Sequence, residues 1–377
     1  MTVPPFHVPA RPPRDTRMDI VRGWLQLTIF MSHAFGSFIG GWFIHGAWGL
    51  SDSSEQFVLL SGFTLGSVFA RKAARQGWRA GSADLLRRTL RLYRIHLLVV
   101  LLFGVMVTLA GMSRRFPDEA EGLGWGFMLT DPLRAIPAAL TILYQPAFMG
   151  ILPVFIWCML LLPGFAALEA RYGDRALLAA VALYAAAWLV PLWPPSLGPD
   201  TGIGFNPFAW QMLYLTGAWL GRRALYHGRA LPRWRWGFAV AVPILLLGLA
   251  LRLSWYGFAP WPALLPEDTL VTGKEGLAPL RVLHALALAW TVSMLLPRDA
   301  DWMHRPLFRW LAAIGRHSLE VFCLGLFLSW GASAAFRLWP GHWWLDALLI
   351  LAGFAALAAF GRMLDHRRMV HRPAVAA

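Results

Sequence analysis

Charge is scarce in this sequence: only 14% of the residues are Asp, Glu, Lys or Arg, while 58% are apolar. A soluble domain carries about 25% charged residues, so a string of water-soluble domains is excluded and lipid is the natural solvent for the excess apolar surface. Acidic residues are the scarcer sign, 20 against 34 Lys and Arg, which leaves a net charge of +14. Cysteine is nearly absent. Cys158 and Cys323 both lie in apolar runs, which leaves no disulfide framework and no thiolate metal site, and reads as two small core residues. Also missing are a Walker loop, a dinucleotide fingerprint behind a strand, an HExxH pair and a GxSxG elbow; the glycines of SGFTLG and GFMLTD have no phosphate-loop context. No metal and no resident cofactor is expected. The polar, Pro-rich N-terminus lacks the short apolar core and small-residue site of a cleaved leader, so the first apolar run is expected to stay as an anchor.

What is present is apolar length. A helix of about 20 mostly apolar residues crosses the hydrocarbon core, and about ten stretches approach that length: 19–40, 52–71, 95–112, 149–169, 176–193, 207–222, 236–256, 279–296, 315–336 and 343–361. The segment 131–147 is short and broken by proline, which fits a re-entrant or interfacial helix. The 21 Trp suit membrane interfaces. The predicted fold is therefore all-α, a polytopic transmembrane helix bundle over 17–364, with tails at 1–16 and 365–377. No internal repeat and no separable soluble domain is visible.

The basic residues set the orientation. With both termini cytoplasmic, every Lys and Arg falls on the inner side except Arg114, Arg115, Arg134, Arg252, Lys274, Arg281 and Arg337. The positive excess is thus a topology signal and an attraction to anionic membrane lipid, not a nucleic-acid footprint. A bacterial inner membrane, crossed many times, is the expected location.

Ionisable residues inside such spans cost roughly 2.5–3.5 kcal/mol each on insertion scales, so they mark function or a packed polar network. Asp19, Arg22, Gln26 and His33 follow spacings of three, four and seven in the first span. Arg22 and His33 are eleven positions apart along one helix, which puts them within about 20° on one face and roughly 16 Å apart along the axis. Asp52 and Glu55 open the second span and are expected at about the depth of His33. A carboxylate beside an imidazole fixes its tautomer and stabilises the imidazolium, as a general base requires; the alternative is a buried histidine satisfied by a polar neighbour.

Other candidates carry paired readings. Arg87, Arg88, Arg91 and Arg94 fit either positive-inside anchoring or a phosphate cradle, since guanidinium pairs bidentately with phosphate. Arg281 and His284 share a face after Lys274, and Asn206 and Gln211 open the sixth span; Arg281 fits either an anionic substrate group or a structural pair with a carboxylate such as Glu55. His317, Ser318 and Glu320 fit a site wall or a helix–helix hydrogen-bond network.

Taken in order, RMDIVRGWLQLTIFMSH with Arg22 and His33, SSEQFVLLSGF with Glu55 and Ser61, RRTLRLYRIH, and IGRHSLEVF resemble the acyltransferase type 3 superfamily of membrane acyltransferases. WGLSDSSEQFVLLSG, FNPFAWQ, PLRVLHALALAW and GRHSLEVFCLGLFLS resemble one branch, the OpgC family, linked to succinylation of osmoregulated periplasmic glucans. Two departures stand out: Gly325 lies where many superfamily members carry a second histidine, and Glu55 replaces a commoner Asp, so Asp52 is an alternative working carboxylate. The resemblance implies acyl transfer from a cytoplasmic acyl-CoA, succinyl-CoA above all, to a periplasmic glucan hydroxyl. It implies His33 as base supported by Glu55 or Asp52, and Arg22, Gln26, Ser61 and the Arg87–Arg94 cluster as acyl-CoA contacts. Lys274, Arg281, His284, Asn206 and Gln211 would face the acceptor or the acyl carboxylate, while Asp19, Ser318 and Glu320 line the site. Transfer of acetyl or another acyl group to a different envelope glycan, glycan transport, and a homo-oligomeric state are the alternatives left open.

Overall fold

Helices account for all the regular structure among the described residues of the computed structural model, which are 14–370 apart from 191, 200, 232, 233, 263, 264, 270 and 299. Of the expected tails, 1–16 and 365–377, residues 1–13 and 371–377 lie outside the described residues. In chain order the helices are α1 Thr16–His33, α2 Phe38–Trp42, α3 Ser53–Gln76, α4 Trp78–Gly111, α5 Glu119–Gly122, α6 Gly126–Thr130, α7 Pro132–Leu140 and α8 Ile151–Tyr172. There follow α9 Leu177–Leu189, α10 Pro207–His227, α11 Gly237–Trp255, α12 Pro279–Leu295, α13 Pro306–Arg316, α14 Ser318–Leu338 and α15 Trp343–Val370.

Each predicted span falls on a helix. Among the described residues, six helical stretches are long and apolar enough to cross a membrane: Ser53–Gln76, Trp78–Gly111, Ile151–Leu189, Gly237–Trp255, Ser318–Leu338 and Trp343–Val370. α1 is outside this set, having Arg17, Asp19 and Arg22 within its 18 residues, and α12 is apolar but shorter. The segment 131–147 forms only the nine-residue α7, with Pro132 at its start and Pro137 inside.

Boundaries differ from the sequence reading where local chemistry intervenes. The first helix stops at His33 because Gly36 takes a left-handed φ of 92° and Ser37 then caps α2, its Oγ accepting from the Gly40 amide at 2.7 Å. α4 begins at Trp78 because the basic run 87–94 is helical too. The predicted span 315–336 starts at Ser318, after a break at His317, and is preceded by an unexpected helix, α13, with Pro306 in its first turn. α15 continues through Val370, into the stretch expected as a tail.

The chain divides into two compact units: Val58–Pro232 with Leu270–Ala278, and Pro13–Phe57 with Arg233–Thr269 and Pro279–Ala377. In the first, α3 meets α10 through two glycine pairs. A Cβ on Gly62 would lie 1.9 Å from the Tyr214 carbonyl oxygen, and one on Gly221 would lie 1.9 Å from that of Phe63; one on Gly217 would lie 2.1 Å from the Leu59 carbonyl oxygen and one on Gly66 2.5 Å from Ala218. Such small-residue spacing lets two backbones touch, which is the purpose of the glycines in SGFTLG.

In the second unit α13 lies against both α1 and α15. A Cβ on Gly23 would sit 1.9 Å from the Leu311 carbonyl oxygen, one on Gly315 would sit 1.8 Å from that of Asp19, and Gly361 meets the Ala313–Ile314 backbone. Residue numbers rise on α1 as they fall on α13, so the two run antiparallel. α14 runs alongside α1 in the same direction, with Ser329 Oγ donating to the Phe30 carbonyl at 3.0 Å and Ser333 Oγ to that of His33 at 3.2 Å. Ile20, Leu27, Phe30, Met31, Val321, Phe336, Ile350 and Leu357 fill the space between these helices.

Candidate active site

The polar stripe predicted for the first span lies on one unbroken helix. Asp15 caps α1 by accepting from the Arg17 amide at 3.1 Å. Asp19, buried one turn on, is held by Arg14 through Nε at 2.6 Å and Nη2 at 3.0 Å. Asp19 and Arg14 both lie close enough to Arg22 to act on it electrostatically. Gln26 follows, 2% exposed, and its Nε2 makes no hydrogen bond among the described residues. A buried amide donor without an acceptor is unfavourable by about 1–3 kcal/mol, so this one calls for a ligand-borne oxygen or a functional reason. His33 closes the helix. Its Nδ1 is 2.8 Å from the Ile29 carbonyl oxygen, which can only accept, so Nδ1 carries the proton and Nε2 of the neutral ring presents a lone pair.

The acid pair forms a helix cap. Asp52 Oδ1 accepts from the Ser54 amide at 2.8 Å and its hydroxyl at 2.5 Å, while Glu55 Oε2 accepts from the Asp52 amide at 3.0 Å. That pattern is close to a capping box, with the cap carboxylate on the second helical amide instead of the third. The other Glu55 oxygen takes Arg281 Nε at 2.7 Å and Nη2 at 2.5 Å, and Arg281 Nη2 stands 3.6 Å from Asp52 Oδ2. His284, one turn along α12, takes the Ser51 amide at 3.2 Å and is 2.7 Å from the Ser51 hydroxyl. Gln56 Nε2 donates to the Ala285 carbonyl at 3.1 Å.

The start of α3 touches α1 at Thr28, whose Oγ1 is 2.5 Å from Ser53 Oγ. Thr28 is five residues before His33, about 7.5 Å lower and about 140° around the helix. The depth expected for the acid pair is therefore corrected: α2 and the turn His45–Ala47 fold the chain back before α3 begins.

At the other end of α1 a second charged group gathers. Arg316 bonds Asp365 through Nε at 3.0 and 3.1 Å and through Nη2, and His317 Nε2 lies 2.9 Å from Asp365 Oδ1. Arg14 also feels the Asp365 charge. Ser318 and Glu320 are in the first turn of α14, half-buried. Gly325 is buried, and a Cβ there would meet Leu357 of α15 at 4.0 Å.

The remaining candidates belong to the first unit. Arg87, Arg88, Arg91 and Arg94 are exposed on α4; Arg87 Nε donates to the Ala83 carbonyl and Arg88 Nε to Asp84 at 2.8 Å, a carboxylate that Lys72 also reaches. Ser61 is half-buried on α3 beside Gly62. Asn206 caps α10 and donates Nδ2 to the Leu192 carbonyl at 2.9 Å; Gln211 Nε2 donates to the Ala180 carbonyl at 2.9 Å. Lys274 lies over the Phe205 ring at 5.7 Å. The structure thus brings Asp19, Arg22, Gln26 and His33 together on one helix face, and Asp52, Glu55, Arg281 and His284 in one cluster. Sequence reasoning missed Asp365, Arg14 and Ser51, whose partners are remote in sequence or carry no motif.

Residues 14–369 match the family model described as OpgC protein. No curated protein and no solved structure matches the chain.

Proposed function

The chain belongs to the OpgC family, and from that premise we propose that this membrane glucan acyltransferase moves a succinyl group from cytoplasmic succinyl-CoA to hydroxyls of periplasmic glucans. The observation that carries the reading is the α1 face, where a guanidinium, an unsatisfied buried amide donor and an imidazole with its tautomer set by the Ile29 carbonyl follow one another over roughly 16 Å. Arg22, next to Asp19 and Arg14, meets the phosphates or the start of the pantetheine arm. Gln26 Nε2 donates to an oxygen of that arm. His33 then stands at the thioester.

In the transfer step the glucan hydroxyl oxygen attacks the thioester carbonyl while His33 Nε2 takes its proton. The C–S bond breaks, a C–O bond forms, and the imidazolium returns the proton to the departing thiolate, giving ester and free coenzyme A. General-base help of this kind is worth about 10²–10⁴-fold. Asp52 and Glu55, tied to Arg281 at the start of α3 beside Thr28, hold that end of α3 in place and do not set the tautomer of His33.

The test is transfer by the purified protein in nanodiscs, with succinyl-CoA or acetyl-CoA offered against a glucan oligosaccharide and the product weighed by mass spectrometry. Succinyl ester formed by wild type and lost in His33→Ala, with the variant still folded, is the expected result. Full transfer by His33→Ala removes the histidine from the mechanism; acetyl ester alone changes the donor.

A further inference from the structure

Beyond the end of α1 lies a group of aromatic rings that the transfer chemistry does not use. Trp42 is its centre: Trp48 stands 5.8 Å away between ring centroids, Tyr256 5.1 Å, Phe258 5.6 Å in a stacked arrangement, and Phe38 6.2 Å. Trp48 is 44% and Phe258 61% exposed. The group is fixed in place. Asp346 of α15 holds α2 by accepting from Ser37 Oγ at 2.5 Å and the Ile39 amide at 2.9 Å. Gly40 rests on the Met31 carbonyl, where a Cβ would come within 2.5 Å. Trp48 Nε1 donates to the Trp42 carbonyl at 2.8 Å, and Arg252 Nε donates to the Gly49 carbonyl at 3.1 Å. Through Gly40 the rings are anchored on the last turn of α1, the turn that carries His33.

We propose that Trp42, Trp48, Tyr256 and Phe258 form the acceptor subsite, a platform on which a glucose ring of the glucan stacks; this rests on the acyl-transfer reading for its link to His33. A pyranose presents C–H groups on its faces and hydroxyls at its edge. The C–H faces suit the electron-rich faces of indole and phenyl rings, and rigid aromatics provide contact area at low entropic cost. Edge hydroxyls need acceptors, and Glu267, which pairs with Arg252 at 2.7 Å and is 57% exposed, follows the same segment. Lipid is the competing occupant, since Trp and Tyr favour the membrane interface. An interfacial position alone does not require rings to converge, whereas these converge on one another and are held by an aspartate and an arginine.

Two measurements on the full-length protein in phosphatidylethanolamine–phosphatidylglycerol nanodiscs decide it: tryptophan fluorescence against a linear gluco-oligosaccharide without thioester, and acceptor KM with succinyl-CoA. Trp48→Ala and Phe258→Ala, both at exposed positions, should each raise the half-saturating oligosaccharide concentration and the acceptor KM about ten-fold; Trp48→Phe should retain most of the affinity. Equal sugar affinity in wild type and variants overturns the platform, as does a variant with unchanged sugar affinity and a lowered melting midpoint, the mark of a lipid anchor. Sugar binding that the variants weaken, with no transfer from any thioester, supports the platform and defeats the acyl-transfer reading instead.

Discussion

Glu55 and Arg281 lie 226 positions apart and meet at 2.5 Å, with side chains 0% and 6% exposed. Removing one partner leaves the other charge buried and uncompensated, which is typically unfavourable by about 3–5 kcal/mol. Arg281→Ala should therefore lower the melting midpoint sharply, and Glu55→Gln should do so less, because the single amide oxygen can still accept from either the guanidinium or the Asp52 amide, though not from both. The double variant Glu55→Gln, Arg281→Met should recover much of the Arg281→Ala loss. A loss in the double variant equal to the sum of the single ones would mean that the two groups act independently, contrary to their geometry.

Gly23 and Gly315 set the distance between α1 and α13. Alanine at either would push its Cβ to within 2 Å of a carbonyl oxygen in the neighbouring backbone, which cannot rotate aside as a side chain would. Gly23→Ala and Gly315→Ala should each destabilise by about 1–3 kcal/mol, read as thermal unfolding in detergent. Gly331→Ala, with nothing within 4 Å of the added atom, should stay within about 0.5 kcal/mol of wild type. Equal midpoints for all three would show that α13 has room to move.

The pattern of apolar lengths located the helices well because lipid leaves a span few choices: a continuous apolar run must be helical. The Arg22–His33 stripe was legible for the same reason, as helical periodicity alone places both on one face. What escaped were features made by contact between distant segments. Asp365 falls in a basic, polar end of the sequence, and only the fold brings Arg316 and His317 to it. α13 falls almost wholly between the predicted spans 279–296 and 315–336 because it is too short to span and half its residues are polar or small, while its packing depends on glycines in α1 and α15. The depth of Asp52 could not be read from a rule that treats each connection as a simple hairpin.

Asp365 joins α15 to the break between α13 and α14, bonding Arg316 and the nearly buried His317. Arg316 and Asp365 are both partly exposed, so solvent screens much of their attraction; the buried imidazole has no such relief. Asp365→Ala should destabilise by about 1–2 kcal/mol, and Asp365→Asn by less, since its carbonyl can still accept from either neighbour. Thermal midpoints give the order. Equal losses for Asn and Ala would show that charge, and not hydrogen bonding, holds the break.

His45 sits in the short turn between α2 and α3, and its Nε2 is buried without a hydrogen bond among the described residues. Burial lowers its proton affinity below that of an ordinary imidazole, against the opposing pull of the Asp52 backbone and charge. His284 lies close enough to feel a charge on it. The unfolded chain takes up this proton near pH 6.5, whereas the folded turn still holds the ring neutral, so protons bind the unfolded state preferentially. Stability from this group is complete above about pH 6.5 and falls as pH drops below it. Melting midpoints measured from pH 8 down to pH 5 should decline, and His45→Gln, which cannot titrate, should flatten part of that decline. Parallel curves for the two proteins would mean that the acid sensitivity arises elsewhere.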